Sequence, residues 1–233
     1  MVEVINVEDF ECLGTLEFCG IYPELLETFR RWFPKGVRVD DVPALNRVGF
    51  ELGLPVRELV EERKLTATLY DMCDCADDFD DIEGTEIFQL KFVLGKLQDG
   101  KTGDPAIVCW FEDGTLLYEG RYCRGKLNDR GVFPAQREWN SHGKLIRQSH
   151  FRNGKLCDNG VLPANRQWWG NGQLKAEDHY NKWGVLDDVG FLPAQRSWSE
   201  EGDLLDSRHF RNGVALEARE DSPVLTVRYR VRE

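Results

Sequence analysis

Histidine recurs at one position of this sequence, and imidazole is the side chain best suited to binding a metal or sensing pH. Three of the four histidines, His150, His179 and His209, occupy equivalent places in a repeated segment, and Arg121 takes that place in the first copy. No carboxylate or cysteine stands beside all three in the sequence. We therefore interpret the column as the result of duplicating one hairpin, and the sequence predicts no metal site.

Cysteine usage indicates a reducing compartment. The seven cysteines are irregularly spaced and odd in number, which disfavours a disulfide framework. Cys73 and Cys75 flank one aspartate and could hold a soft metal ion, but the second pair that a tetrahedral zinc site needs is lacking. The first twenty residues contain no Lys or Arg, so the positive start of a secretory signal is missing. We expect a cytoplasmic protein without a cofactor.

An acidic segment, DMCDCADDFDDIEGTE at residues 71–86, is a candidate calcium loop or docking surface. An EF-hand loop needs oxygen ligands at positions 1, 3 and 5 and glycine at position 6. Placing Gly84 at position 6 puts Phe79 at position 1, so calcium is disfavoured. The remaining alternatives are a solvated acidic loop and a surface that docks a basic protein. The candidate contact residues are Asp77, Asp78, Asp80 and Asp81.

The negative charge is concentrated in the first part of the chain. The net charge is −11, and residues 1–91 hold 9 Lys and Arg against 21 Asp and Glu, whereas residues 92–233 hold 21 against 20. Phosphate binding needs clustered basic side chains, so this balance argues against nucleic acid and favours a basic protein as the partner. No apolar stretch approaches the roughly 18 residues that a membrane-spanning helix needs.

Four segments share the pattern Pro-Ala-x-x-x-Trp-x-x-x-Gly-x-Leu, and their tryptophans are Trp110, Trp139, Trp168 and Trp198. Each segment predicts a β-hairpin, because a strand that ends in Trp is followed by a polar turn that closes on glycine. Alternation of side chains along the strands places the tryptophans in one column. We expect that column to form the core of a stacked array of hairpins.

An arginine precedes three of these tryptophans by two residues, on the same face of its strand: Arg137, Arg166 and Arg196. Stacking of guanidinium on indole would stabilise the hairpins, and a stripe of Arg and Trp would equally suit recognition of a partner. Trp169 and Trp183 occur once each and break the repeat, so we include them with the three arginines as candidate partner contacts.

The hairpin pattern Gly-x-Leu, followed after five residues by an aromatic residue and then a second glycine, resembles MORN-type repeats. It is more similar to the bacterial MORN-variant proteins of the YwqK antitoxin family, over about residues 91–216. The units here are longer, with an added Pro-Ala strand start. The resemblance implies an elongated antiparallel sheet that makes protein contacts, and it transfers no catalytic residues.

The first ninety residues show helical spacing instead, with helices predicted from Pro23, from Asp41 and from Pro55, and strands at residues 65–70 and 86–94. We therefore predict an α+β protein with two domains. Residues 1–90 form an acidic, mainly helical domain. Residues 91–233 form a MORN-like array of four hairpin units that ends in a capping strand, SPVLTVRYRVRE.

The sequence carries no P-loop, GxSxG, HExxH or dinucleotide-binding motif. We expect a non-enzymatic protein–protein interaction module, and an antitoxin or immunity-like inhibitor is one form that it could take. Two alternatives stay open. One is a scaffold or adaptor that recruits its partner without inhibiting it, and the other is an enzyme with an unrecognised site in the first ninety residues.

Overall fold

The computed structural model describes residues 3–13, 23–73 and 86–216. Among these residues strands predominate, at 38% against 17% helix, and the four α-helices are short. The expected α+β protein with a mainly helical first domain is therefore wrong. Two earlier predictions lie outside the described residues: the C-terminal capping strand and the acidic contact residues Asp77, Asp78, Asp80 and Asp81.

Three of the described helices begin close to the predicted starts, the first one was not predicted, and each helix is brief. They are α1 (Val7–Leu13), α2 (Pro23–Trp32), α3 (Val42–Asn46), continued by one π-helical segment (Arg47–Glu51), and α4 (Val56–Glu62). Asp41 caps α3 by accepting a hydrogen bond from the Ala44 N–H. Pro34 and Pro55 interrupt the helical pattern, which keeps helix content low. With at most ten residues, none of the described helices is long and apolar enough to cross a membrane.

The strands, in chain order, are β1 (Val4–Ile5), β2 (Val37–Arg38), β3 (Ala67–Cys73), β4 (Glu86–Val93), β5 (Lys96–Leu97), β6 (Ile107–Trp110), β7 (Leu116–Gly120), β8 (Tyr122–Cys123), β9 (Lys126–Leu127), β10 (Gln136–Trp139), β11 (Leu145–Ser149), β12 (Phe151–Arg152), β13 (Lys155–Leu156), β14 (Asn165–Trp168), β15 (Leu174–Asp178), β16 (Gln195–Trp198), β17 (Leu204–Arg208), β18 (Phe210–Arg211) and β19 (Val214–Ala215). Eleven of them form one antiparallel sheet in the order β17-β16-β15-β14-β11-β10-β7-β6-β4-β3, with β5 paired to β4. The sheet thus begins with β3 and β4, and the predicted domain boundary at residue 90 falls inside β4.

Each repeat contributes one long hairpin to this sheet, as predicted. The pairs are β6–β7, β10–β11, β14–β15 and β16–β17. In every pair the register shifts just before the tryptophan, which then lies opposite a leucine, as Trp139 lies opposite Leu145. The four tryptophans consequently take equivalent positions across the sheet.

A second set of short hairpins follows the long ones and stacks beside the sheet. These pairs are β8–β9, β12–β13 and β18–β19. In β12–β13 both turn residues, Asn153 and Gly154, have positive φ, which is the geometry of a tight type I′ turn. Neighbouring short hairpins are joined by a backbone hydrogen bond, such as that from the Gly154 N–H to the Leu127 carbonyl at 2.8 Å.

The large apolar core lies at one end of the chain. It is built from α1 to α4 and the first strands, with Phe10, Phe29, Leu59 and Leu65 almost fully buried. In the repeats, by contrast, the four tryptophans are only half-buried. The prediction that a tryptophan column forms the core of the array is therefore wrong. Apart from Val108 and Leu117, the buried residues there are small or polar: Ala106, Cys109, Ala135, Cys157, Ala164, Ala194, Arg121, Ser149, His150, Asn165, Glu177 and His179.

Gly143 closes the turn between β10 and β11 with φ of +71°, which an L residue adopts only with strain. We expect Gly143→Val to lower the free energy of unfolding by about 1–3 kcal/mol, the usual cost of a strained backbone position. The nearest atom to an added Cβ is Thr115 Cγ2 at 3.9 Å, so a clash would not explain a loss. Urea unfolding measures the change in the free energy of unfolding. Gly170→Val is the control, because Gly170 has no positive φ and open space around its Cβ position. Equal costs for the two variants would contradict the prediction.

Candidate functional site

An aspartate recurs at the end of each repeat and joins that repeat to the next. Asp158 shows the arrangement: its Oδ1 accepts hydrogen bonds from the Ala164 N–H at 2.7 Å and the Tyr180 N–H at 2.9 Å. Its Oδ2 lies 2.6 Å from Nδ1 of His179. The Asp158 N–H in turn donates to the Tyr180 carbonyl. One carboxylate thus contacts the start of the next long strand, at Ala164, and the segment that follows β15, at His179 and Tyr180. We call this set of contacts the Asp staple.

The staple is repeated along the array with nearly the same distances. Asp129 accepts from the Ala135 and Phe151 N–H groups and from His150, and Asp188 accepts from the Ala194 and Phe210 N–H groups and from His209. In the first repeat Asp99 accepts from the Ala106 and Tyr122 N–H groups, and the histidine position is taken by Arg121. The histidines are therefore partners of carboxylates.

This pairing corrects the earlier interpretation that no carboxylate accompanies the histidines. The signal is present in the sequence, because each histidine follows an aspartate by 21 residues and a Pro-Ala pair follows that aspartate closely. Such a distance shows nothing until the hairpin register is known. Burial differs along the column: His150 is 1% exposed, whereas the side chain of His209 is 49% exposed.

The pKa values of the aspartates follow their surroundings. Burial raises the pKa of Asp99 above its usual value, against the two backbone N–H groups that it accepts from. Burial also acts to raise the pKa of Asp188, but hydrogen bonds from the Phe210 N–H, His209 and the Ala194 N–H outweigh it, and the net pKa is lowered.

A row of side chains crosses one face of the sheet, and we call this row the ladder. Its members lie opposite one another from strand to strand: Val108, Glu119, Arg137, Gln148, Arg166, Glu177, Arg196 and Ser207. Because side chains of paired residues point to the same side, all eight share one face. His150 joins this face, since its Nε2 lies 3.0 Å from Nε2 of Gln148.

The ladder is held by ion pairs between neighbouring repeats. Glu119 binds Arg137. Glu177, almost fully buried, binds Arg196 on one side and has its Oε2 3.6 Å from Nε of Arg166 on the other. Buried charges are tolerated only when they are paired, so Glu177 needs both arginines.

The predicted stacking of arginine on tryptophan is found in two repeats. The guanidinium carbon of Arg137 lies 5.2 Å from the Trp139 ring centroid, and that of Arg196 lies 5.4 Å from the Trp198 centroid. The carboxylate partners of these arginines, which sequence reasoning missed, come from the return strands of the hairpins.

The two tryptophans that break the repeat have different surroundings. The Trp169 indole N–H donates to the Trp198 carbonyl at 3.0 Å, and Lys175 lies 4.4 Å from the ring centroid, so Trp169 joins two repeats. Trp183 is 59% exposed with Lys182 4.5 Å from its ring centroid. Of these two tryptophans, only Trp183 is largely exposed to solvent.

Three loops between a staple aspartate and the following Pro-Ala carry apolar residues at their tips. Val132, Val161 and Phe191 are 84%, 88% and 102% exposed. We call these three the tip residues. Beside the first tip residue, the Phe133 ring stacks on Arg121, with 5.0 Å between the guanidinium carbon and the ring centroid. Sequence reasoning missed them because two apolar residues just before a Pro-Ala strand start look like the beginning of a buried strand.

We expect Asp158→Ala to lower the free energy of unfolding by about 3 kcal/mol, because two N–H groups lose their acceptor. Asp158→Asn keeps Oδ1 and should cost about 1 kcal/mol, the usual value for one lost hydrogen bond. Urea denaturation of both variants measures the difference. Equal losses for alanine and asparagine would show that acceptance by Oδ1 does not hold the repeats together.

Among the residues that the structure describes, no group of three or more His, Cys, Asp or Glu side chains is arranged to hold a metal ion. No protein-family model, curated protein or solved structure matches the chain. Any function must therefore be argued from the ladder, the staples and the tip residues themselves.

Proposed function

We propose that the array is a protein-binding module and that its partner lies across the repeats, over the ladder face and the tip residues. The observation that carries the proposal is the row of tip residues. Three repeats place an apolar side chain at the most exposed point of the same loop. Exposed apolar groups that line up on one side of a protein are typical of interaction sites.

The spacing of the tips suits an extended partner. Val132 precedes β10 and Val161 precedes β14, and these strands are two positions apart in the sheet. At roughly 4.8 Å for each position, the separation is about 9.6 Å. A helix brings a residue to the same face every seven positions, or about 10.5 Å. A helix that crosses the strands can therefore place one apolar residue at each tip.

The side chains beside the tips are also those that dominate protein interfaces. The ladder face offers half-buried tryptophans and arginines, and both types are enriched among residues that contribute most to binding. The acid excess of residues 1–91 favours a protein with a basic surface over a nucleic acid as an additional contact. We propose a cytoplasmic setting, in which the partner is inhibited as by an antitoxin or immunity protein.

A triple variant tests the role of the tips. In Val132→Ser, Val161→Ser and Phe191→Ser the apolar contacts are lost while no buried group changes. We expect at least one protein from the native host to be retained by the wild type and lost by the triple variant, in isotope-labelled affinity purification with purified bait.

The matched control changes three other exposed apolar residues: Leu94→Ser, Leu205→Ser and Val214→Ser. This control should retain the protein that the tip variant loses. The same set of proteins on all three baits would contradict the proposal. Coexpression then distinguishes the two forms of binding, because an inhibitor restores growth or activity that its partner alone alters, whereas a scaffold does not.

A further inference from the structure

The short hairpins carry a basic surface that takes no part in the staples or the ladder. Five short segments form it, at residues 94–97, 122–127, 151–156, 180–186 and 210–216. None of these segments contains Asp or Glu, although the chain as a whole has a net charge of −11. They hold seven exposed cations, which we call the basic row: Lys96, Arg124, Lys126, Arg152, Lys155, Lys182 and Arg211.

Stacking of the short hairpins brings these cations into line. A Cβ added to Gly125 would lie 3.6 Å from Cβ of Lys96, and one added to Gly154 would lie 3.7 Å from Cβ of Lys126. Each turn thus packs on the lysine of the preceding hairpin. Because each repeat advances by two strand positions, the cations recur about every 9.6 Å. A line of like charges at this spacing favours an elongated anionic partner over a small ion.

The charged groups of the basic row have no carboxylate partner within the described part of the chain. The ion pairs of the repeats involve other side chains, chiefly the ladder arginines and the staple histidines. Two carboxylates, Asp129 and Asp158, line the same pocket as Arg152. Each of them already accepts hydrogen bonds from two backbone N–H groups and a histidine. The cations of the basic row are therefore available to a partner.

The basic row runs beside the tip residues. Gly131, the neighbour of Val132, lines one pocket together with Arg152. The other two tip loops are joined to the hairpins that follow them by the same staple contacts. Each tip residue therefore has a cation in the adjacent hairpin, and the three correspond in order: Val132 with Arg152, Val161 with Lys182, and Phe191 with Arg211.

We propose that the basic row binds acidic side chains of the partner whose apolar residues pack on the tips. This inference rests on the proposed protein-binding function and names the chemistry of the partner, an amphipathic helix with Asp or Glu beside its apolar stripe. Seven helical residues span about 10.5 Å, close to the interval of the repeats. One apolar and one acidic residue in each heptad can thus meet one tip residue and its cation, and the opposite charges would fix the register of the helix.

The tip residues favour a protein over other polyanions. Sites for single-stranded nucleic acid combine basic side chains with aromatic rings on which bases stack, whereas two of the three tip residues are valines. Proteins that insert into anionic membranes use larger apolar side chains, such as Trp, Phe and Leu. Valine next to a cation suits the apolar stripe and acidic flank of a helix better than either.

The inference can be tested with a defined probe. The probe is a fluorescein-labelled helical peptide of three heptads, each with one leucine, two glutamates beside it, and alanine or glutamine elsewhere. Its neutral counterpart has glutamine in place of glutamate. By fluorescence anisotropy at low ionic strength, we expect the wild type to bind the glutamate peptide about tenfold more tightly, as three exposed ion pairs would give. The net charge of −11 opposes this result, so a preference for the glutamate peptide reports the local surface. Equal affinity for the two peptides, including no binding of either, would overturn the inference.

Reversing the charges beside the tips should remove this preference. In the triple variant Arg152→Glu, Lys182→Glu and Arg211→Glu, we expect the glutamate peptide to bind about tenfold more weakly and the glutamine peptide to bind as before. The matched control reverses three exposed cations outside the short hairpins, Arg31→Glu, Lys35→Glu and Lys144→Glu, and should weaken binding less than threefold. Both variants change the net charge equally. Equal weakening would therefore mean that only net charge matters, and the basic row would be refuted as a site.

Two further probes distinguish the classes of polyanion. They are a single-stranded oligothymidylate with the same number of charges as the peptide, and vesicles of phosphatidylcholine and phosphatidylserine. We expect both to bind more weakly than the glutamate peptide, and tighter binding of either would overturn the assignment to an acidic protein.

The tip variant separates this inference from the protein-binding proposal. If Val132→Ser, Val161→Ser and Phe191→Ser together weaken both peptides while the wild type does not prefer glutamate, the protein-binding proposal stands and only the acidic partner is refuted.

Discussion

The array depends on one aspartate carboxylate in each repeat. Asp129, Asp158 and Asp188 each accept two backbone N–H groups and one histidine N–H, drawn from the next long strand and the next short hairpin. A hairpin of this size has too little apolar surface to stand alone, and the repeats lack the large apolar cluster that the first part of the chain has. Hydrogen bonds between specific residues of adjacent repeats therefore determine how one repeat packs on the next.

This constraint explains the composition of the ladder face. Because the staples and the sheet set the spacing of the strands, residues on that face can be charged, provided that each buried charge finds a partner on an adjacent strand. Glu177 meets this condition through two arginines. Gln148 shows that a repeat can omit the carboxylate without losing its strands.

Stability should also be unequal along the chain, as in other repeat proteins, where each unit contacts only its neighbours. The first repeat packs beside the apolar core, and Ile107 contacts it directly. At the other end of the described sheet every residue of β17 is exposed, and the side chain of His209 is far more exposed than that of His150. Cooperative folding is therefore expected to begin at the core and extend along the staples.

The sequence predicts the hairpins well because their signals are local. Turn glycines such as Gly143 and the strand that ends in Trp139 are separated by only a few residues, and both are found as expected. The description of the first ninety residues as mainly helical fails because the helices are short, and because the two strands predicted there join the sheet of the repeats as β3 and β4. The Asp staple was missed because Asp158 and His179 are 21 residues apart and meet only after the repeats have stacked.

Native-state hydrogen exchange measured by NMR tests the staple most directly. The backbone amides that donate to the staple aspartates flank the strands, and in most proteins amides at such positions exchange quickly. They are Ala135, Ala164, Ala194, Phe151, Tyr180 and Phe210. If the carboxylates hold the repeats together, these six amides exchange as slowly as the neighbouring sheet amides. Exchange at the rate of exposed turn amides such as that of Gly170 would contradict the account.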